Sequence, residues 1–232
     1  MKQFTSVHDA GNVNDLVLEA LVVKQQVNEY ANLGKGKTSG LLFLNPSLRT
    51  RMSTQRAAYN LGMNVMVVNL DKETWQMEFE DGAIMNSTKS EHIKEAAGVI
   101  AQYCDIVAIR CFPGLVAKDW DYDEMVLNSF LKYCKVPIVS LESATRHPLQ
   151  SFADMITIAE TKQAAKPKVV LTWAPHIRAL PQAIPNSFSE WAIATGAEVV
   201  ITHPKGYELD TQFTEGATIE YDQDKALAGA DY

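Results

Sequence analysis

Short apolar runs alternate with longer stretches of helical periodicity along the whole chain. Residues 13–33 carry apolar side chains at helical spacing, Leu16, Leu18, Leu21, Val22 and Val27 among them, and Gly34 offers a stop. Leu41-Leu42-Phe43-Leu44 reads as a buried strand, residues 50–61 as a helix, and Val65-Met66-Val67-Val68 as a second strand. A polar stretch, 69–90, precedes a helix near 91–103. A third strand at 105–110, a helix at 122–134 and a fourth strand at 136–140 follow. The pattern then restarts. It gives a helix over 148–164, closed by Pro167, then a strand at 168–172, a helix at 184–195, a strand at 198–201 and a short helix at 222–229. Alternation of this kind predicts parallel sheets covered on both faces. The expected class is α/β, with two doubly wound parallel-sheet domains, 1–147 and 148–232. The second domain has few strands. Gly229-Ala230-Asp231-Tyr232 falls where another strand is expected, so that domain is expected to be incomplete in this chain.

Composition narrows the function classes. A chain of 232 residues with an apolar share of 47% builds an ordinary core without staples. The formal net charge of −7 argues against broad binding to nucleic acid or a membrane surface, and leaves room for a local basic pocket that takes a small anion. The three cysteines, Cys104, Cys111 and Cys134, lack metal-ligand spacing. Their odd number suits a reducing cytoplasm better than a disulfide scaffold. The N-terminus carries no apolar run of the signal-peptide kind, and no segment reaches the roughly 18 apolar residues of a membrane span.

Two segments suggest phosphate chemistry, and only one has the right context. Gly36-Lys37-Thr38 looks like the end of a P-loop, but Ala31 stands where the first glycine is required. A P-loop also follows a strand and opens a helix. Here a helix precedes and a strand follows, so these residues read as a solvated turn. Asn45-Pro46-Ser47-Leu48-Arg49-Thr50-Arg51 leaves a strand and enters a helix. A helix N-terminus presents free N–H groups and the positive end of the dipole, which suits a phosphate dianion. Ser47 and Thr50 add hydroxyl donors, and Arg49 or Arg51 adds a bidentate fork. The alternative is a plain Ser N-cap followed by solvated arginines.

Further along, Glu142-Ser143-Ala144-Thr145-Arg146-His147-Pro148-Leu149-Gln150 follows the fourth strand. His147 can polarise a carbonyl oxygen or move a proton, and Gln150 offers both a donor and an acceptor. Arg110 ends the third strand at the same sheet edge. Three strand ends thus supply Ser, Arg and Thr, then Arg, then His and Gln, where ligands bind open parallel sheets.

These segments together resemble the aspartate/ornithine transcarbamylase family. Its Ser-x-Arg-Thr signature is matched by Ser47-Leu48-Arg49-Thr50, and its His-Pro-x-Gln signature by His147-Pro148-Leu149-Gln150. The resemblance implies that Ser47, Arg49 and Thr50, with the Leu48 backbone N–H, hold the phosphate of carbamoyl phosphate. It implies that Arg110, His147, Gln150 and the Thr50 hydroxyl surround the carbamoyl group. The stretch Trp173–Ser187 is similar to the branch acting on Nα-acylated ornithine, the N-acetyl- and N-succinylornithine transcarbamylases. An acylated nitrogen is neutral, so a carboxylate partner for an α-ammonium is no longer useful. In that branch Glu142 and the 176–186 loop, with His176, Arg178, Leu180 and Asn186, line the second-substrate site.

Trp75 resembles a residue inserted into the neighbouring subunit's site, where it meets carbamoyl phosphate in a homotrimer. An acidic residue at position 90 resembles the acetyl-specific type and a proline the succinyl type. Ser90 departs from both, and a small neutral side chain leaves room for succinate's carboxylate, which favours succinyl over acetyl. The implied reaction carries the carbamoyl group to the δ-amine of an N-acyl-L-ornithine. It gives N-acyl-L-citrulline and phosphate, in arginine biosynthesis, without a metal or organic cofactor. The family's His-Cys-Leu-Pro segment, its final helix and a lysine expected just past Tyr232 are not in these residues. Two alternatives stand beside this reading: a truncated, non-catalytic anion-binding relative, and a transcarbamylase acting on ornithine or another free amine.

Overall fold

The computed structural model describes residues 2–70, 72–161, 164–174, 176, 177 and 180–232. In chain order the elements are β1 (Gln3–Phe4), α1 (Val13–Gln25), β2 (Thr38–Phe43), α2 (Leu48–Asn60), β3 (Asn64–Asn69), β4 (Met77–Glu78), β5 (Glu91–His92), α3 (Ile93–Tyr103), β6 (Ile106–Arg110), α4 (Lys118–Tyr122), α5 (Met125–Tyr133), β7 (Ile138–Glu142), α6 (Pro148–Thr161), β8 (Lys168–Thr172), α7 (Ala183–Ala194), β9 (Glu198–Thr202), β10 (Thr218–Ile219) and α8 (Gln223–Leu227). The chain divides into two compact units. One comprises the chain up to Thr5 and Val23–Ala144, the other Ser6–Val22 and Thr145–Tyr232. The division falls between Ala144 and Thr145 rather than after His147, because Thr145 and Arg146 are hydrogen-bonded to α7. Residues 6–22 belong to the second unit, where Val7, Val13 and Val17 are buried.

The first unit is a five-stranded sheet in the order β1-β7-β6-β2-β3, parallel at each pairing. Its core gathers Leu42, Ile93, Val107, Ile109, Phe130 and Ile138. From β2 the chain moves outward to β3, then returns across β2 to β6 and β7. The strand order therefore reverses between β2 and β6, which makes the carboxyl ends of these two strands the crevice where such sheets take ligands. Phe43 is in register with Arg110, and Arg110 with Glu142, so three strand ends meet at one edge. Gly62 turns the chain from α2 into β3 at φ +76°, and a Cβ there would stand 2.3 Å from the Ala31 carbonyl oxygen. Lys37 and Thr38 lie at the opposite, amino end of β2, where Asp105 binds the lysine Nζ at 2.8 Å and the Thr38 N–H at 2.9 Å. The P-loop look-alike is thus a turn at the wrong end of the sheet.

The second unit carries β10-β9-β8, also parallel, with α6 and α7 packed together through Phe152 and Trp191, whose ring centroids are 5.3 Å apart. The Val170 N–H donates to the Tyr232 carbonyl at 2.8 Å and the Asp231 N–H to the Lys168 carbonyl at 2.9 Å. Residues 231–232 thus run beside β8 where the sequence predicted a further strand.

Two helices differ from the sequence pattern. The helix expected over 13–33 stops at Gln25 and continues as a 3-10 turn, Val27–Tyr30. Its apolar positions do not converge on one buried face: Val13 and Val17 are buried, while Leu18 is 62% exposed. The helix expected over 122–134 is two, α4 and α5, broken at Glu124, which adopts the left-handed conformation at φ 50°. No helix among the described residues is long and apolar enough to cross a membrane.

Candidate active site

The edge of the first unit is built by the turn from β2 into α2. Ser47 caps α2, its Oγ accepting the Thr50 N–H at 3.3 Å. Asn45 fixes the turn from below, its Oδ1 accepting the Phe112 N–H at 2.7 Å. The two arginines that the sequence left interchangeable are separated by the structure. Arg51 is bound to Asn69 Oδ1, and its guanidinium lies 4.5 Å from the centroid of the Phe43 ring. Arg49 is exposed, and its side chain makes no hydrogen bond or ion pair among the described residues. The first turn of α2 therefore offers free N–H groups, a hydroxyl and an uncommitted guanidinium on one loop.

On the neighbouring strand end, Arg110 forms an ion pair with Glu142 through Nη1. Both side chains are enclosed, at 11% and 5% exposure. Burial pushes the Glu142 carboxyl up, and the Arg110 guanidinium opposes that shift. Arg110 Nε is buried and has no acceptor among the described residues. Past β7, Ser143 Oγ donates to Glu124 Oε1 at 2.5 Å and the Ala144 N–H to Glu124 Oε2 at 3.1 Å. The strained Glu124 backbone thus presents a carboxylate that holds the loop leaving β7. On the polar stretch of this unit, Trp75 is 59% exposed and its Nε1 donates to Glu91 at 2.8 Å. Ser90 is exposed, with its N–H on the Gln76 carbonyl at 3.1 Å.

In the second unit, His147 precedes Pro148, the first residue of α6, where a missing N–H and a fixed φ suit a helix start. The His147 carbonyl accepts the Ser151 N–H at 3.2 Å. Gln150 is exposed and donates to Asp154 at 3.0 Å; burial raises the Asp154 pKa, and that hydrogen bond opposes the rise. Of the 176–186 loop, His176 and Leu180 are exposed. Asn186 is fully buried, and its Nδ2 donates to the Thr145 carbonyl at 3.2 Å. Arg178 lies outside the described residues. Trp173 stacks on His203 at 4.8 Å beside a cavity of about 340 Å³ at the carboxyl ends of β8 and β9.

Sequence reasoning missed four anchoring residues: Asn45, Glu124, Glu190 and the partner role of Arg146. Asn45 has a signal, an Asn directly before Pro at a strand end. The other three act over long separations that no local pattern reports. No cluster of His, Cys, Asp and Glu among the described residues is arranged to hold a metal ion.

Residues 2–160 match the family model described as aspartate/ornithine carbamoyltransferase, carbamoyl-P binding domain. The chain is 53% identical to an N-succinylornithine carbamoyltransferase of Bacteroides thetaiotaomicron, over all of this chain and 73% of that protein. It is 35% identical to an N-acetylornithine carbamoyltransferase of Xylella fastidiosa, over 100% of this chain and 73% of the relative. Among solved structures, it is similar to a Glu-to-Ser variant of N-acetyl-L-ornithine transcarbamylase complexed with carbamyl phosphate and N-succinyl-L-norvaline. The TM-score is 0.90 at 33% identity, over 100% of this chain and 74% of that one. A signature-bearing turn at the switch point of a parallel sheet and similarity along the full chain converge: this protein belongs to the aspartate/ornithine carbamoyltransferase family.

Proposed function

We propose that this protein transfers the carbamoyl group of carbamoyl phosphate to the δ-amine of an Nα-acyl-L-ornithine, with succinyl favoured over acetyl. The products are the N-acyl-L-citrulline and phosphate. The observation that carries the reading is the turn 45–51: a helix N-terminus at the switch point, with Ser47 as cap and Arg49 uncommitted. Relatives of 53% and 35% identity named for succinylornithine and acetylornithine support the acceptor class. Ser47, Arg49 and Thr50, with the Leu48 N–H, take the phosphate oxygens. Arg110, His147, Gln150 and the Thr50 hydroxyl receive the carbamoyl group. The neutral δ-amine adds to the carbonyl carbon, and fixed donors stabilise the oxyanion that forms. The carbon–oxygen bond to phosphate then breaks, and the proton lost from the amine passes to the departing phosphate. Alignment of the two substrates supplies much of the acceleration.

Glu142, His176, Arg178, Leu180 and Asn186 serve the acylornithine, Asn186 through the Thr145 backbone rather than by direct contact. Ser90 faces the acyl group and admits a carboxylate there. The solved Glu-to-Ser variant bound to N-succinyl-L-norvaline supports the compatibility of serine with a succinyl group. Trp75, exposed like Ile84 and Met85 of the same polar stretch, serves a neighbouring subunit of a homotrimer. The three free thiols fit a reducing, cytoplasmic setting, and the acylornithine acceptor fits a step of arginine biosynthesis.

The test is turnover with carbamoyl phosphate and a panel of N-succinyl-, N-acetyl- and free L-ornithine. Arg49→Ala and His147→Ala are each expected to lower citrulline-derivative formation by about 10²-fold or more. Unchanged rates in both would overturn the assignment.

A further inference from the structure

We propose that Arg146 and Glu190 are positioning residues that hold His147 in place. This rests on the transcarbamylase reading above and names the parts that orient its histidine. In the second unit, Arg146 Nε and Nη2 donate to Glu190 Oε2 and Oε1, both at 2.9 Å. Two parallel bonds of this kind fix both distance and plane. The Glu190 side chain on α7 is 7% exposed. The guanidinium also lies 4.8 Å from the centroid of the buried Phe213 ring. On the same face of α7, four residues earlier, Asn186 donates to the Thr145 carbonyl at 3.2 Å. One helix face therefore grips two consecutive residues, 145 and 146. The next residue is His147, and after it α6 begins at Pro148 with its backbone set by the proline ring. The backbone of His147 is fixed from both sides, by α7 through its predecessors and by the start of α6.

An ion pair that is largely enclosed, here with Arg146 at 24% and Glu190 at 7% exposure, returns little net stability against an apolar pair of the same volume. What it supplies is direction, which an apolar contact at 146 would not. The exposed His8 is a second neighbour of that carboxylate, its Nε2 3.7 Å from Glu190 Oε1.

A mutant cycle through His147 separates positioning from general support. Arg146→Met, Glu190→Gln, His147→Ala and both double variants with His147→Ala are purified as the full chain, and thermal unfolding confirms the folded fraction. Turnover per folded protein is read with radiolabelled carbamoyl phosphate and N-succinyl-L-ornithine. Misplacement of a catalytic group by an ångström lowers turnover by about 10²-fold, and that is the loss expected for Arg146→Met. Glu190→Gln keeps the shape and loses less. In the His147→Ala background, each loss is expected to shrink to about two-fold or less, because the group being positioned is gone. Undiminished losses in that background, or wild-type turnover in Arg146→Met, would overturn the clamp. Should Arg146→Met fail to fold, Glu190→Gln carries the same cycle. A fully active His147→Ala would overturn the reading of the site and the clamp with it. A weak His147→Ala with additive partners overturns the clamp alone.

Discussion

Ser47 does two jobs in the proposed site, and one substitution separates them. As N-cap of α2, its Oγ accepts the Thr50 N–H. As part of the proposed cradle, it lies against the phosphate. Aspartate is as good an N-cap as serine and is favoured by the helix dipole. Ser47→Asp should therefore leave stability unchanged, or raise it by about 0.3–1 kcal/mol. Ser47→Ala loses the cap, about 1 kcal/mol. For binding the order reverses. At an effective dielectric of 20, a like-charge pair 4 Å apart costs about 4 kcal/mol. Ser47 is only half-buried, so solvent and salt remove part of that. A loss of about 2.8 kcal/mol, or 10²-fold, remains for carbamoyl phosphate in Ser47→Asp. Thermal unfolding and the KM for carbamoyl phosphate, measured on the same samples, check both halves. A Ser47→Asp variant that binds carbamoyl phosphate within about three-fold of wild type would refute the phosphate role of this helix start.

Three further outcomes follow from particular contacts. Glu142→Ala leaves the Arg110 cation enclosed without its carboxylate, and should cost about 3–5 kcal/mol in urea unfolding; a loss below about 1 kcal/mol would mean the pair is solvated. Lys89, the larger cause, and the Glu80 N–H hold the Glu78 carboxyl down, from its ordinary 4.5 to about 2. A depressed carboxylate stabilises the fold above its unfolded pKa and loses that contribution as pH falls. The Tm gap between wild type and Lys89→Met should thus close between pH 4.5 and 2, and parallel curves would contradict the pairing. Ser90→Glu sets a carboxylate against succinate, so the succinyl-to-acetyl ratio of kcat/KM should fall by about 10-fold or more; an unchanged ratio moves the acyl pocket elsewhere.

The turn of the candidate site was legible because its parts are local. A serine between a short apolar run and a helical stretch announces a cap at the carboxyl end of a strand, and α2 does begin at Leu48 behind Ser47. The choice between Arg49 and Arg51 was not legible. Two residues on a helix differ by about 200° in direction, and which of them meets Asn69 depends on where β3 lies. Arg110 and Glu142 pair across 32 positions because β6 and β7 are neighbours with a register shift between Ile109 and Arg110. Arg146 and Glu190 are 44 positions apart. Periodicity reports which face of a segment is buried and says nothing of which charge it will meet. The short strands β1, β4, β5 and β10 escaped for a related reason: two residues each cannot show a period of two.

The division of charge at the sheet edge matches the division of charge in the proposed donor. Carbamoyl phosphate has an anionic end and a neutral end. At the start of α2, Arg49 has no carboxylate partner among the described residues, whereas Arg51 is bound to Asn69 and interacts with the Glu73 carboxylate that Asn69 also holds. Through Arg49 that loop keeps a positive field, with the helix dipole added, in a chain whose formal net charge is −7. On the adjacent strand end, Arg110 is neutralised by Glu142, yet its Nε–H remains without an acceptor among the described residues. A neutralised arginine contributes direction rather than net charge. In the proposed site its guanidinium end, rather than the enclosed Nε, would hydrogen-bond the neutral carbonyl and strengthen that bond as an oxyanion forms. In the proposed site the uncommitted guanidinium is assigned to the phosphate end and the paired one to the carbamoyl end, an asymmetry that would set the orientation of the donor.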